Sequence, residues 1–240
     1  MAALGDSITA GFGSCLVPTT CPQNSWSTGD GSLVNSHYKR ILAAHPAIRG
    51  NGHNFSAPKA TSADLAGQVA SAIKAKVDYV TILIGANDAC HGTINQMTSV
   101  TTFRTRLDDA LAALAKNLPQ AKVLVVSIPD IYHLWEIGHA NRAVTTVWSA
   151  GICPALLADP TSTAAPDVSR RATFRSQIES YDSQLVAACA AYRAQCRDDK
   201  GAVHHATFTL NMINFVDFFH SNVDGQNALA TASYPGQFTW

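Results

Sequence analysis

The sequence predicts an α/β fold in which a parallel β-sheet carries helices on both faces. Short apolar runs rich in β-branched residues recur along the chain at strand length. Between them lie longer stretches whose apolar residues repeat at helical spacing. Strands separated by helices in this way form βαβ units, and such units build parallel sheets. A chain of 240 residues with 47% hydrophobic side chains can bury one substantial core, and no second core is visible. The whole of 1–240 is expected to be one domain.

The first strand candidate is Ala2–Leu4, and the second, shorter and more polar, is Asn54–Ser56. Val77–Ile84 (VDYVTILI) and Lys122–Ile128 (KVLVVSI) follow, and Val203–Leu210 is the fifth. Ser62 is placed to cap a helix that presents Leu65, Val69 and Ile73 on one face. A second helix shows Phe103, Leu107, Leu111, Leu114 and Leu118 and stops at Pro119; a third runs from Phe174 through Tyr192. Two segments break the alternation. Ser14–Asn35, rich in Gly, Ser, Thr and Pro, reads as a stapled surface loop, and Ile131–Pro166 reads as an insertion.

Charge narrows the function. Charged residues are 14% of the chain and the 17 basic and 17 acidic residues cancel, where about 25% is usual. No basic field exists for a nucleic-acid backbone or an anionic bilayer, so nucleic-acid partners are not expected. The longest apolar run, Tyr79 to Gly85, is far short of the roughly 20 residues that span a bilayer.

The six cysteines, Cys15, Cys21, Cys90, Cys153, Cys189 and Cys196, form an even set without zinc-ligand spacing. Fifteen pairings are possible. Short separations favour Cys15–Cys21 and Cys189–Cys196, which leaves Cys90–Cys153; six buried thiols are the alternative. Disulfides place the chain outside the cytosol, as a secreted, extracellular protein. A strand-like start at Met1 fits a mature chain whose export signal has been removed.

In a parallel sheet, ligands bind beyond the carboxyl ends of the strands. Gly5-Asp6-Ser7 follows the first strand directly, where a serine can raise its Oγ above the sheet. Gly85-Ala86-Asn87-Asp88 follows the third, and Asn87 can donate to a developing oxyanion. Near the C-terminus, Asp217 stands three residues before His220, so its carboxylate can orient the imidazole. Alone, the first two are ordinary turn sequences, and the third is a common spacing that also fits a structural histidine. Together they supply nucleophile, electrophilic donor, base and orienter.

With these residues in place the chain resembles the GDSL/SGNH hydrolases, looking most like their secreted bacterial lipase and phospholipase A1/B branch. The likeness rests on Ala3–Gly11 (ALGDSITAG), Gly85–Asp88 and Asp217–His220, and covers nearly the whole chain. It implies a three-layer α/β/α sandwich over a five-stranded parallel sheet. It also implies ester hydrolysis through an acyl-serine on Ser7, with His220 as base and Asp217 as orienter. The oxyanion hole is then the amide of Ser7, Asn87 and a third amide from the family's second block, N-x-x-x-x-G-A-T-S-x-D-L. Here Asn54–Leu65 reads NFSAPKATSADL, with Lys59 at the Gly. If that position needs positive φ, Lys59 is strained by about 1 kcal/mol.

No nucleotide-binding glycine loop, Walker lysine or metal-ligand pattern appears, so neither cofactor nor metal is expected. His204 and His205, adjacent in the fifth strand candidate, would face opposite ways and share no metal. The apolar residues near the site, Ile131, Tyr132, Leu134, Trp135, Phe218 and Phe219, are candidates for binding an acyl chain, whereas Phe215 and Val216 are expected in the core. A monomer acting on small-molecule or lipid esters is the reading. A carbohydrate acetyl esterase would use the same catalytic residues, and an inactive binding module would be expected to have lost Ser7 or His220.

Overall fold

A computed structural model describes residues 1–192 and 195–234. Its five strands are β1 (Ala2–Gly5), β2 (His53–Asn54), β3 (Tyr79–Leu83), β4 (Lys122–Val125) and β5 (Cys196–Asp198). Every pairing is parallel, in the order β2-β1-β3-β4-β5. Between and after them lie α1 (His37–Ala44), α2 (Leu65–Lys74), α3 (Ala86–Ala89), α4 (Val100–Asn117), α5 (Ile131–Gly138), α6 (Arg142–Trp148), α7 (Pro154–Leu157), α8 (Ala165–Tyr192) and α9 (Val223–Ser233).

Strand periodicity of two divides the core into two layers. Leu4, Val80, Ile82, Val123 and Val125 point to one side, where they meet α2, α4 and the buried stripe of α8, including Phe174, Ile178 and Tyr181. Tyr79, Leu83 and Leu124 point to the other and pack with Trp26, Tyr38 and Ile41 of α1, and Leu229 of α9. The result is the α/β/α sandwich.

Four local expectations are corrected. Val203–Leu210 is a turn and loop; the fifth strand is the earlier Cys196–Asp198. The turn forms because the Asp199 carboxylate accepts the amides of Gly201 and Val203 while also binding the Ser127 amide and hydroxyl. Ser62 does not cap a helix: its hydroxyl donates to Asp88 Oδ1 at 2.6 Å, and Thr61 serves as the cap. Ser14–Asn35 is not surface loop throughout, since Cys21, Ser25, Trp26 and Ser27 are buried, the last two against α9 and β3, while the stretches on either side are exposed. Phe215 and Val216 are exposed, not core, because the loop that carries them is turned outward by Asn214.

Sulfur–sulfur bonds join Cys15 to Cys21, Cys90 to Cys153 and Cys189 to Cys196. The second ties the α3 end to the start of α7 across a separation of 63 residues. It fixes the 131–166 segment beside the sheet's carboxyl end. No helix among the described residues is long and apolar enough to cross a membrane.

Candidate active site

The end of β1 is built for a close turn. Gly5 has φ +150°, and a Cβ there would lie 2.2 Å from the Leu83 carbonyl oxygen, so a side chain is excluded. Gln68 of α2 holds this residue from both sides, accepting its amide at 2.7 Å and donating to its carbonyl at 2.9 Å. Ser7 follows at the top of the sheet. Asp6 is fully buried behind it, with Oδ1 accepting the Ile8 amide at 2.9 Å. Burial, more than any neighbour, raises the Asp6 carboxyl to about 7.

His220 reaches the same point from a closed loop. Ile213 and Ser221 form an antiparallel bridge at its neck, and Asn214 accepts the amide of Val216 inside it. Ser7 Oγ and His220 Nε2 are 3.0 Å apart, and His220 Nδ1 is 2.8 Å from Asp217 Oδ2. The other Asp217 oxygen accepts the amides of Phe219 at 2.9 Å and His220 at 3.0 Å. Burial alone would push the Asp217 carboxyl up; the His220 ring and these two amides outweigh it and hold it below the ordinary value. An acceptor so held fixes the ring with Nε2 toward the hydroxyl. The Phe12 ring packs against His220 at 4.6 Å between centroids.

Asn87 and Lys59 join the serine from the other side. Gly85, at φ +127°, lets β3 turn sharply into α3, which carries Asn87. Its Nδ2 donates to the Ala60 carbonyl at 3.0 Å, and an amide nitrogen has a second hydrogen to give. Lys59 lies in the turn Ala57–Ala60, closed by a 3.1 Å bond from the Ala60 amide, with Pro58 before it. Its φ is +66°, the value a type II turn demands at this position and one that glycine would adopt freely. The expected strain is therefore present.

Two cavities meet at Ser7 and His220. One is a narrow slot of about 60 Å³ lined by Ile8, Ala86, Ile131, Leu134, Phe208, Ile213 and Phe219. The other is open, about 390 Å³, bounded by Phe12, Lys59, Thr61, Asn87 and His91. Of the six apolar candidates, Ile131, Leu134 and Phe219 line the slot. Tyr132 and Trp135 do not, because they occupy a different face of α5, under the guanidiniums of Arg175 and Arg171. Phe218 also packs elsewhere, against the core, with its carbonyl accepting the Trp148 indole. Sequence reasoning missed Phe12, Phe208 and Ile213. Phe12 directly follows the first block and Ile213 lies just before Asp217, so proximity was the available signal; Phe208 had none. A roomier cavity of about 570 Å³ lies at the amino ends of the strands, around Met1, Asp78 and Lys122, remote from these groups.

Among the described residues no cluster of three His, Cys, Asp or Glu could hold a metal. His204 lies in the turn after β5, and its Nδ1 is 2.9 Å from Asp182 Oδ2.

A family model described as GDSL-like lipase/acylhydrolase matches residues 1–233. The chain belongs to this family. It is an ester hydrolase of the serine type. Human membrane-associated phospholipase B1 is 30% identical over 165 residues, 57% of this chain but 11% of that protein, so the chain spans about a tenth of that relative's length. Among solved structures, a phospholipase A1 from Streptomyces albidoflavus aligns with 98% coverage of both chains, a TM-score of 0.54 and 18% identity. An extracellular lipase from Streptomyces rimosus gives 98% of both chains, 0.53 and 17%. At such identities these neighbours share the fold of the GDSL-like hydrolase, a five-stranded parallel sheet between helices.

Proposed function

We propose that this hydrolase is a secreted enzyme that cleaves acyl esters of lipids, in the manner of a lipase or phospholipase A1/B, through an acyl-serine on Ser7. The observation that carries the proposal is the continuous chain from Ser7 Oγ to His220 and Asp217, standing between an apolar slot and an open cavity.

His220 Nε2 takes the Ser7 proton as Oγ attacks the ester carbonyl, and Asp217 holds the ring in the tautomer that leaves Nε2 unprotonated. The tetrahedral oxyanion is met by the amides of Ser7 and Lys59 and by the free Asn87 hydrogen, three fixed donors that need no rearrangement during reaction. The proton then passes to the departing alcohol, which leaves through the open cavity. Water repeats the steps to release the acid.

Acyl carbons pack in the slot, whose walls are aliphatic and aromatic apart from the backbone and a few polar rims. Each buried methylene is worth about 0.8 kcal/mol, so four more carbons improve kcat/KM by up to about two orders of magnitude. Three disulfides among the described residues favour secretion, as does the likeness to an extracellular lipase.

A series of p-nitrophenyl esters from acetyl to palmitoyl, with phosphatidylcholine alongside, tests the reading. Octanoyl and longer esters are expected to turn over faster than acetyl, with fatty acid released from the phospholipid. Faster acetyl turnover with no fatty acid release assigns the site to carbohydrate acetyl esters instead.

A further inference from the structure

Two loops beside the Ser7–His220 cleft turn apolar side chains outward. Leu16 is 69% exposed, Val17 56%, Phe215 64% and Val216 43%; among the described residues these are four of the seven large apolar side chains left exposed. Single exposed apolar residues are ordinary, but four gathered beside one site are not.

Their gathering is built. Asn214 Nδ2 donates to the carbonyls of Gly13 at 2.5 Å and Leu16 at 3.1 Å, while its Oδ1 accepts the Val216 amide at 2.7 Å. One side chain thus ties both loops together. Leu16 sits at φ +74°, a conformation disfavoured for a bulky side chain, between the bridged residues Cys15 and Val17. Phe215 and Val216 immediately precede the Asp217–His220 segment, so the patch shares its backbone with the site.

The chemistry of the surroundings identifies the partner. Segments 7–29 and 206–216 contain no Asp, Glu, Lys, Arg or His. A charged protein or an acidic bilayer would find nothing to pair with here, whereas the surface of an aggregated neutral or zwitterionic lipid would cover the patch without desolvating a charge.

We propose that the Leu16–Val17 and Phe215–Val216 loops dock the enzyme on a lipid–water interface, setting the cleft mouth against its substrate. This inference rests on the lipid-ester reading above.

The test compares the unmodified enzyme with a Leu16→Asn, Phe215→Ser variant, Asn being chosen because it tolerates the backbone at position 16. Both are also made in a Ser7→Ala background for cosedimentation with phosphatidylcholine vesicles. Removing two such side chains should weaken vesicle binding at least about tenfold, with little dependence on salt. Hydrolysis of vesicle phosphatidylcholine should fall in step, while turnover of dissolved p-nitrophenyl butyrate, which also reports folding, stays within about twofold. Should dissolved-ester turnover also collapse, Val17→Ser with Val216→Ser replaces the first pair under the same criteria. Unchanged vesicle binding by folded variants overturns the proposal, as does a dimer that the substitutions split, since a second copy would then cover the patch. If the unmodified enzyme binds vesicles through these residues yet releases no fatty acid, the lipid-ester reading fails and the docking surface stands.

Discussion

Two of the carboxylate–imidazole pairs among the described residues have nearly equal lengths and different surroundings. Asp217 and His220 lie three residues apart on one loop, 2.8 Å between oxygen and Nδ1, and the far nitrogen meets the Ser7 hydroxyl. Asp182 and His204 come from α8 and the turn after β5, 2.9 Å apart, and among the described residues nothing hydrogen-bonds His204 Nε2. Instead the second pair grips one backbone residue: Asp182 Oδ1 accepts the Ile128 amide at 2.8 Å, and His204 Nδ1 lies 3.0 Å from the Ile128 carbonyl. Ile128 leads directly into Pro129, Asp130 and Ile131, which wall the apolar slot. The Asp182 carboxylate, as acceptor and by its charge, raises His204 to about 9 despite the burial of the ring, helped by the Ile128 carbonyl. A protonated imidazole cannot accept a proton. Identity and distance do not separate the proposed catalytic base from a clamp; what stands at the ring's second nitrogen does.

Removing either pair's imidazole should therefore move different observables. Ser7→Ala and His220→Ala should each lower kcat by about 10⁴-fold or more, with melting temperatures close to the parent's. His204→Gln should do the reverse, losing stability while keeping turnover within about tenfold. A His204→Gln enzyme as inactive as His220→Ala, though folded, would erase the distinction.

The proposed oxyanion donors sharpen it further, because they stand beside only the first pair. Asn87→Ala should cost roughly 10²–10³ in kcat with little change in KM, since the donor meets charge that exists only in the transition state. Loss of KM alone, at constant kcat, would place Asn87 in ground-state binding. Asp182→Asn, by contrast, leaves a buried imidazolium without its partner. Breaking such a pair costs about 3 kcal/mol, and chemical denaturation should find that loss, with kcat on short dissolved esters little altered.

These two pairs also differ in how far the sequence reveals them. Asp217 and His220 are legible because their contact is local, three residues apart, and because Gly5-Asp6-Ser7 and Gly85-Ala86-Asn87-Asp88 sit where a parallel sheet puts its ligands. Asp182 and His204 are joined only by the fold, 22 positions apart, and reading Val203–Leu210 as a strand hid the turn that brings them together. That misreading has a physical cause. β5 is three residues long, Cys-Arg-Asp, at the sheet's edge, so it carries no apolar run, while the more apolar segment after it is turned by the Asp199 carboxylate. The slot was half legible for a similar reason. Ile131 and Leu134 share a face of α5 by helical spacing, but Phe208 arrives from the loop after β5, where nothing in the sequence marks it. Lys59 shows the limit from the other side: its departure from the family pattern is plain in the sequence, whereas its positive φ needs the turn around it.

The smallest expected effect is on the pH dependence of stability, and it isolates the second pair. A histidine whose folded pKa is raised stabilises the fold below its unfolded value, near 6.5, and that contribution fades as pH climbs through about 9. Asp6, held near 7 chiefly by burial, and His37, lowered to about 3 by burial and Arg40, also bend the curve. Both are present in the unmodified enzyme and in His204→Gln, so they cancel when the two are compared. The difference in melting temperature between the two proteins should be largest near pH 6 and shrink steadily toward pH 10. Burial raises the Asp182 carboxyl from its ordinary value, which affects the acid side and leaves the sign of this trend intact. A difference that stays constant from pH 6 to 10 would show that His204 contributes by shape and packing alone, and the ionic clamp at Ile128 would have to be abandoned.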